Sequence, residues 1–424
     1  MHIDLVPVWT LILAVGVFMY VLLDGFDLGV GILFPLARDD ASRTLMMNSV
    51  APIWDGNETW LILGGTALMA AFPLAFAIII PALYFPILLM LLGLIFRGVA
   101  FEFRLKAHGG RHWWDRSFFA GSLVATFFQG VILGDYVQGF AVSGRHFAGG
   151  SFDWVKPFPL ATGVGLLFGY GLLGATWLVM KTEGDLQARS RTQARVCLLG
   201  VLAFIAMVSV WTPFLQPKIT ARWFTWPNMA YLAPVPIVTA AIAITLWRSL
   251  ARGGEFVPFL ASMGLFAMCY LGLAISVFPY VVPWTITLWD AASSPGSQAF
   301  LLVGTLVILP IVFMYTGWSY YVFRGKVRAE LGYHQRIRAR CGLPKEPSPR
   351  KPHVRRKRRR RCRVEHGVVR QVLPLQAPAD RWTRAAQQRR ARPASLSRGL
   401  ARARHRLRVR RQHADHCQAR GTAR

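Results

Sequence analysis

An apolar run from Val8 to Pro35 carries two aspartates, and this combination constrains the chain more than any other feature. The run contains no Lys, Arg or His, and about 20 apolar residues suffice to cross a hydrocarbon core of ~30 Å. Asp24 and Asp27 are three residues apart, so they share one face of the predicted helix. A charge near the middle of a bilayer costs between roughly 2.5 and over 10 kcal/mol. This face must therefore meet protein, water or a proton path; the alternative is a pair of neutral or hydrogen-bonded acids that only pin helix packing.

Nine apolar runs of spanning length predict an all-α, polytopic membrane protein with nine transmembrane helices. The N-terminus lacks a basic n-region and a small-residue cleavage site, so the first run is expected to remain as a helix. With the N-terminus outside, 15 Lys or Arg residues fall in inner loops and 4 in outer loops, which predicts an N-out, C-in topology. A very short turn around Pro73 to Pro81 is expected between the second and third runs. The runs lie near residues 8–36, 56–76, 79–103, 118–141, 157–180, 196–215, 229–248, 256–280 and 298–323.

Further charged residues stand at the ends of these runs. Asp55 and Glu58 precede the second run, where acids also serve as N-cap and first-turn residues of a helix. Arg97 and Glu102 enclose an apolar patch at the cytoplasmic end of the third run, and the simpler interpretation there is an ion pair or a snorkelling arginine. Asp290 follows an aromatic outer segment; it either begins the ninth helix, the preferred interpretation, or belongs to a site.

Histidine is absent from the interior of every apolar run. The five histidines before residue 335 are His2, His108, His112, His146 and His334, all in loops or near the N-terminus. A buried haem needs axial ligands such as His, Met, Cys or Tyr that project from helices, and paired histidines are missing here. We therefore expect this chain to bind no haem and no metal by itself.

Three strings resemble subunit II of the cytochrome bd family of terminal quinol oxidases, and the short overall form is most similar to its cyanide-insensitive branch. They are DGFDLGVG at 24–31, NSVAPIWDGNETW at 48–60 and LWDAASS at 288–294. The resemblance extends in order over residues 1 to about 334. It implies two four-helix bundles plus one peripheral helix, in the bacterial cytoplasmic (inner) membrane.

The resemblance also implies a partner that carries the redox centres. In this family subunit I holds haem b and haem d, or a b-type variant, and oxidises quinol, while dioxygen is reduced to water without proton pumping. Subunit II forms a heterodimer with it, in contact with membrane lipid, and a small single-helix subunit is a further candidate partner. No nucleic-acid partner is expected.

Four carboxylates are the expected proton route. The resemblance makes Asp55 the first candidate, at the cytoplasmic face, with Asp27, Asp24 and Glu58 beside it. A group of residues is implied near the partner subunit, its haems or an oxygen path, with Trp60 as the oxygen-path candidate. This group is Trp54, Trp60, Arg97, Glu102 and Asp290.

Two other functional classes fit the same acids. A secondary transporter or an ion-conducting protein also uses intramembrane carboxylates, but transporters often break helices at matched positions of two halves, and Pro and Gly show no such pairing here. In a purely structural subunit the aspartates would be inert packing groups. Haem that co-purifies with a second subunit would favour the oxidase, whereas uptake by this chain alone would favour transport.

The net charge of +29 comes almost entirely from residues 335–424, which hold 29 of the 49 Lys and Arg residues. A segment this charged and poor in aromatic residues is expected to be disordered. Its residues come mostly from G+C-rich codons, so we expect a readthrough or frameshift product that follows a membrane domain at 1–334. The alternative is a true polybasic tail, which would bind anionic lipid at about 1 kcal/mol per basic residue or hold nucleic acid non-specifically.

The natural mature chain is therefore expected to be lighter than the 47.5 kDa of the full sequence. Intact-mass measurement of protein purified from its own membrane tests this, together with sequencing across the codon for His334. A mature mass that accounts for all 424 residues would contradict the readthrough interpretation.

Overall fold

The computed structural model describes residues 4–107 and 109–327, and this part of the chain is mostly helical. The predicted tail at 335–424 lies outside the described residues. In chain order the α-helices are α1 Val6–Leu33, α2 Asp40–Val50, α3 Trp54–Ala71, α4 Pro73–Ala82, α5 Tyr84–Lys106, α6 Arg111–Gln138, α7 Pro157–Lys181, α8 Gly184–Leu215, α9 Pro217–Phe224, α10 Asn228–Leu232, α11 Pro234–Ala251, α12 Val257–Val277, α13 Leu288–Ala291 and α14 Pro295–Val322. Two antiparallel hairpins pair β1 Val142–Ser143 with β2 His146–Phe147, and β3 Tyr280–Val282 with β4 Ile286–Thr287.

Eight segments of the described chain are long and apolar enough to cross a membrane, which makes this a multi-pass membrane protein. They are built on α1, α5, α6, α7, α8, α10 with α11, α12 and α14. The all-α membrane class is therefore confirmed.

The second predicted run differs from the expectation. Helix α3 is 18 residues long and is not among the eight apolar segments, since its first turns carry Asp55, Asn57 and Glu58. The short turn predicted around Pro73 to Pro81 is wrong, because this stretch forms the ten-residue helix α4. Pro73 stands at the start of α4, where its missing N–H would have no helical partner in any case.

Helix α1 lies at the centre of the packing. Every residue from Leu22 to Gly31 is buried, and α1 contacts α3, α6, α7 and α12. The closest approach is to α7, where a methyl group on Gly29 would lie 1.8 Å from the carbonyl oxygen of Tyr170. A methyl group on Gly174 would in turn lie 2.3 Å from the carbonyl carbon of Gly29. The two backbones touch directly, which only small residues permit.

Aromatic rings close the core beside this contact. Phe26 of α1 stacks on Trp177 of α7 with ring centroids 4.2 Å apart, and Phe259 of α12 meets Phe26 edge-on at 5.6 Å. Large aromatic side chains dominate core energetics, and such pairs add about 0.5–1.5 kcal/mol beyond burial. The half of α1 that carries the two aspartates is thus the most tightly enclosed part of the fold.

Gly29→Ala is expected to destabilise the protein strongly, because the added methyl group meets backbone atoms that cannot move aside. Overpacking costs about 1–3 kcal/mol in ordinary cores, and here the whole α1–α7 contact must open. Thermal unfolding of the detergent-extracted protein measures the effect. Gly304→Ala on α14 is the matched control, since no atom outside its own helix lies within 4 Å of the added carbon. Equal melting temperatures for the two variants would contradict the direct backbone contact.

Candidate functional site

A fully buried ion pair joins α1 to α5. Arg97 Nη1 donates to Asp24 Oδ1 at 2.7 Å, and neither side chain is more than 1% exposed. Of the two simpler interpretations of Arg97, the snorkelling arginine is wrong because the side chain is fully buried, and the ion pair is confirmed, with a partner that lies 73 residues away in sequence. A buried guanidinium needs such a partner, because an isolated charge in a low-dielectric interior is far more costly.

Asp27 has a neutral partner instead. Asn57 Nδ2 donates to Asp27 Oδ2 at 2.7 Å and to the carbonyl oxygen of Leu23 at 3.1 Å, which ties α3 to α1. The Tyr320 hydroxyl of α14 donates to Asn57 Oδ1 at 2.8 Å. Asn57 thus receives a hydrogen bond on its oxygen and gives two from its nitrogen, so its side chain is locked between three helices.

A second polar chain lies on the other side of Asp24. Gln129 Nε2 of α6 donates to the Tyr20 hydroxyl at 2.7 Å, and the Tyr170 hydroxyl of α7 donates to Gln129 Oε1 at 2.8 Å. Tyr20 lies one helical turn before Asp24 and close to its carboxyl group. Asp27 is therefore bound directly by the amide of Asn57, whereas the amide of Gln129 is linked to the Asp24 side of the cluster only through Tyr20.

Several buried polar atoms of this cluster have no hydrogen-bond partner among the described residues. They include one oxygen of each aspartate, Asp24 Oδ2 and Asp27 Oδ1, and two nitrogens of Arg97, Nε and Nη2. Buried polar groups in native proteins are nearly always paired with protein or ordered water. The cluster therefore has free hydrogen-bonding capacity for water between the carboxylates and the guanidinium.

The remaining proton-route candidates lie at the start of α3. Asp55 is exposed in the first turn, which agrees with the expected first-turn role, and Glu58 is half-buried one turn later. Glu58 lies close enough to Asp24, Arg97 and Asp55 for their charges to act on it. It is therefore near both the exposed acid and the buried ion pair. The structure brings all four carboxylates into one region.

The two tryptophan candidates differ in burial. Trp60 is fully buried on α3, its indole nitrogen has no partner among the described residues, and its ring lies 4.9 Å from that of Phe313 on α14. Trp54 is half-buried and stacks on Phe101 of α5 at 5.0 Å. Trp60 thus helps fill the contact between α3 and α14.

Two other candidates stand apart from the cluster. Glu102 is exposed and pairs with Lys106 one turn later at 2.7 Å. Asp290 caps the short helix α13 through a reciprocal pair of hydrogen bonds with Thr287, so it does not begin α14, which Ser294 caps. The hydrogen bonds from Thr287 hold the pKa of Asp290 below its ordinary value. For Asp290, capping alone accounts for the contacts seen.

Sequence reasoning missed the uncharged members of the site, which are Asn57, Tyr320, Tyr20, Gln129 and Tyr170. Asn57 had the clearest signal, since it stands between two acids in a motif already singled out. The others are single polar residues inside apolar runs, where a hydrogen bond is expected but its partner cannot be read from spacing.

Comparison with known proteins gives consistent matches. A family model described as cytochrome bd terminal oxidase subunit II matches residues 5–323. The cytochrome bd-I ubiquinol oxidase subunit 2 of Escherichia coli (strain K12) is 30% identical over 360 residues, which cover 76% of this chain and 95% of the relative. The cytochrome bd ubiquinol oxidase subunit 2 of Bacillus subtilis (strain 168) is 32% identical over 337 residues, 75% of this chain and 96% of the relative.

A solved structure, that of the bd oxidase from Geobacillus thermodenitrificans, is similar with a TM-score of 0.62. The alignment covers 76% of this chain and 100% of the solved chain at 15% sequence identity, so the likeness shows the fold alone.

Arg97→Gln is expected to destabilise the protein by about 3–5 kcal/mol, because it leaves Asp24 charged and buried without its partner. Lys106→Gln is the control, since it breaks the exposed pair with Glu102 and should cost at most about 1 kcal/mol. Thermal unfolding in detergent compares the two. Adding Asp24→Asn to Arg97→Gln should recover part of the loss, and a double variant no better than the single one would contradict a direct ion pair.

Proposed function

The chain belongs to the cytochrome bd terminal oxidase subunit II family, and from this premise we propose that it supplies protons from the cytoplasm to a haem-bearing partner that reduces dioxygen. The complex would be a quinol oxidase of the bacterial inner membrane. Charge separation would follow because protons for water enter from the cytoplasm, whereas those of quinol leave outside, with no pump needed.

The observation that carries the proposal is a gradient of burial across four carboxylates. Asp55 is exposed at the start of α3, Glu58 is half-buried one turn on, and Asp24 and Asp27 are fully buried on α1. Asp55 and Glu58 are three residues apart on a helix and therefore share a face. Acids inside a membrane domain are costly and mark ion or proton paths more often than packing.

The two buried aspartates would have different roles. Each aspartate has one oxygen without a partner among the described residues, but Asp24 is held by a direct ion pair to Arg97, whereas Asp27 receives its hydrogen bond from a neutral amide. We therefore assign proton exchange to Asp27 and positioning of Arg97 to Asp24. Arg97 would place a fixed positive charge beside the route. This charge stabilises the ionised form of a neighbouring carboxyl group and so sets the local electrostatic potential.

The amide of Asn57 cannot belong to the conducting chain. Its nitrogen faces two acceptors and its oxygen faces a hydroxyl donor, so its orientation is determined by its neighbours. An amide gives and accepts hydrogen bonds but has no exchangeable acid proton in the physiological range. Asn57 is thus a positioning residue that aims Asp27, and protons would reach Asp27 through water from the direction of Glu58.

The described residues offer no histidine as an axial haem ligand inside the membrane. The two histidines among them, His112 and His146, are both exposed, whereas a haem in the membrane interior needs axial ligands that project from buried helix faces. We therefore assign haem b and haem d, or its b-type variant, and the quinol site to subunit I and derive no redox step on this chain. The small single-helix subunit and the cyanide-insensitive branch remain predictions.

Helix α3, 18 residues long, would be the ninth crossing, since ~1.5 Å per residue gives about 27 Å, close to the hydrocarbon thickness. Nine crossings would restore the N-out, C-in topology and two four-helix bundles with a peripheral helix.

Trp60, buried between α3 and α14, would border an oxygen path. Because the family match ends at residue 323, residues 335–424 would form a separate segment.

Family membership does not favour the transporter alternative. The oxygen-reduction rate of an Asp55 variant distinguishes the proposed proton route from a purely structural subunit. Asp55→Asn is expected to slow oxygen reduction by the purified complex roughly tenfold or more, because a proton-exchanging group is replaced by a neutral amide. Haem content and assembly should be normal, since Asp55 is exposed and makes no ion pair among the described residues.

Asp185→Asn is the matched control: it removes another exposed first-turn acid, on α8, that lies outside the cluster. Its oxygen-reduction rate should equal that of the unmodified complex. Normal turnover of Asp55→Asn with normal haem content would remove Asp55 from the route and leave the acids a structural role.

A further inference from the structure

An open surface depression of about 460 Å³, called the cavity below, lies between α9, α10 and the end of α12, away from the carboxylate cluster. Its rim carries three polar side chains, those of Arg222, Asn228 and Tyr231, and the rest of its lining is apolar. The apolar lining consists of Leu232, Ala274, Ile275 and Phe278. Because the cavity is open and mostly apolar, with polar groups among its lining, it suits a lipid, whose acyl chain can lie on the apolar part, better than an enclosed small molecule.

The position of the cavity along the helices places it at the edge of the hydrocarbon layer. Helix α12 has 21 residues, so at ~1.5 Å per residue its ends are about 31 Å apart, which matches a core of ~30 Å. Phe278 directly follows the last residue of α12, and the cavity is therefore level with the boundary between acyl chains and headgroups. Trp223, which donates from its indole nitrogen to Ser276 Oγ at 2.9 Å, is the type of residue found at this level.

Arg222 gives the rim a positive charge, and it forms no ion pair with an acid within residues 4–107 and 109–327. Its Nη1 donates to the carbonyl oxygens of Ile275, at 2.6 Å, and Phe278. The guanidinium has five N–H donors, so the Nε and Nη2 groups remain available to a ligand. The only acid in the sequence between Gln216 and Trp289 is Glu255, which precedes the opposite end of α12.

A second cation strengthens this local excess. Lys218 lies four residues before Arg222 on α9, so the two share a helix face. Lys218 Nζ donates to the carbonyl oxygen of Trp284 at 3.0 Å and lies 4.6 Å from the ring centre of Tyr280, contacts that leave its charge in place. The neighbourhood of the cavity is therefore basic, aromatic and at headgroup level.

We propose that this cavity is a binding site for one anionic phospholipid. The phosphate would accept hydrogen bonds from Arg222, Asn228 and Tyr231, and the first segments of an acyl chain would cover Ala274 and Ile275. A neutral amphiphile would leave the guanidinium without a counter-charge, so charge decides between the occupants. This site is independent of the proton route, because none of its residues contacts the four carboxylates.

The test uses the purified oxidase complex, stripped of lipid in detergent and titrated with dioleoyl phosphatidylglycerol or dioleoyl phosphatidylcholine, with bound lipids counted by native mass spectrometry. The unmodified complex should retain one phosphatidylglycerol about fivefold more tightly than phosphatidylcholine, the ratio that one basic residue near a lipid headgroup supplies. Arg222→Gln should abolish this preference. Arg252→Gln, at the opposite end of α11, should keep it.

A second variant covers the case in which Arg222→Gln disturbs the fold through its two carbonyl contacts. Ala274→Phe keeps Arg222 and fills the floor of the cavity, and it should lose the tightly held lipid while oxygen reduction continues. Equal affinity of the unmodified complex for the two lipids would overturn the proposal. So would retention of the preference in Ala274→Phe, because the charge would then act without the cavity.

Discussion

The fold depends on keeping Asp24 and Arg97 together out of water. A buried pair of this kind contributes little net stability, because the cost of desolvating both charges offsets much of their attraction. Loss of either partner is far more costly than loss of both, so the pair acts as a constraint that admits few alternative arrangements. It fixes the rotation of α1 against α5, and that rotation brings Asp27 to Asn57 on α3.

The direct contact of α1 with α7 also keeps the buried carboxylates away from bulk water. Gly29 and Gly174 let the two backbones touch, so the carboxylates are sealed by main chain and by the Phe26–Trp177 stack. Water that enters such a cluster would be confined to the space beside the unpartnered oxygens. In a low-dielectric site each remaining charge then has a strong effect on its neighbours, which is how a few acids can govern proton movement.

Charge and apolar length made much of this site predictable from sequence. Asp24 and Asp27 drew attention because acids are rare in long apolar runs, and the helices followed from the same runs. For Arg97 an ion pair was among the expectations, but its partner could not be identified, because pairing across 73 residues depends on how the helices are arranged in three dimensions. Among the neutral residues only Asn57 had a signal, its place between Asp55 and Glu58, whereas Tyr20, Gln129 and Tyr170 are single polar residues whose hydrogen-bond partners cannot be deduced from sequence spacing.

Gln129 and Asn57, the two side-chain amides of the cluster, differ in whether they can reverse the direction of their hydrogen bonds. Gln129 lies between two hydroxyls, each of which can donate or accept, so its amide is satisfied in either orientation. Asn57 has no such freedom, because its nitrogen faces a carbonyl oxygen and a carboxylate. If the Gln129 amide turned over, it would donate to Tyr170 and accept from Tyr20, the reverse of the arrangement seen. The hydrogen bond from Asn57 to Asp27 has no such alternative. The hydrogen-bond chain through Gln129 can therefore change its polarity while the hydrogen bond to Asp27 keeps its geometry, and this asymmetry suits the proton-accepting role proposed for Asp27.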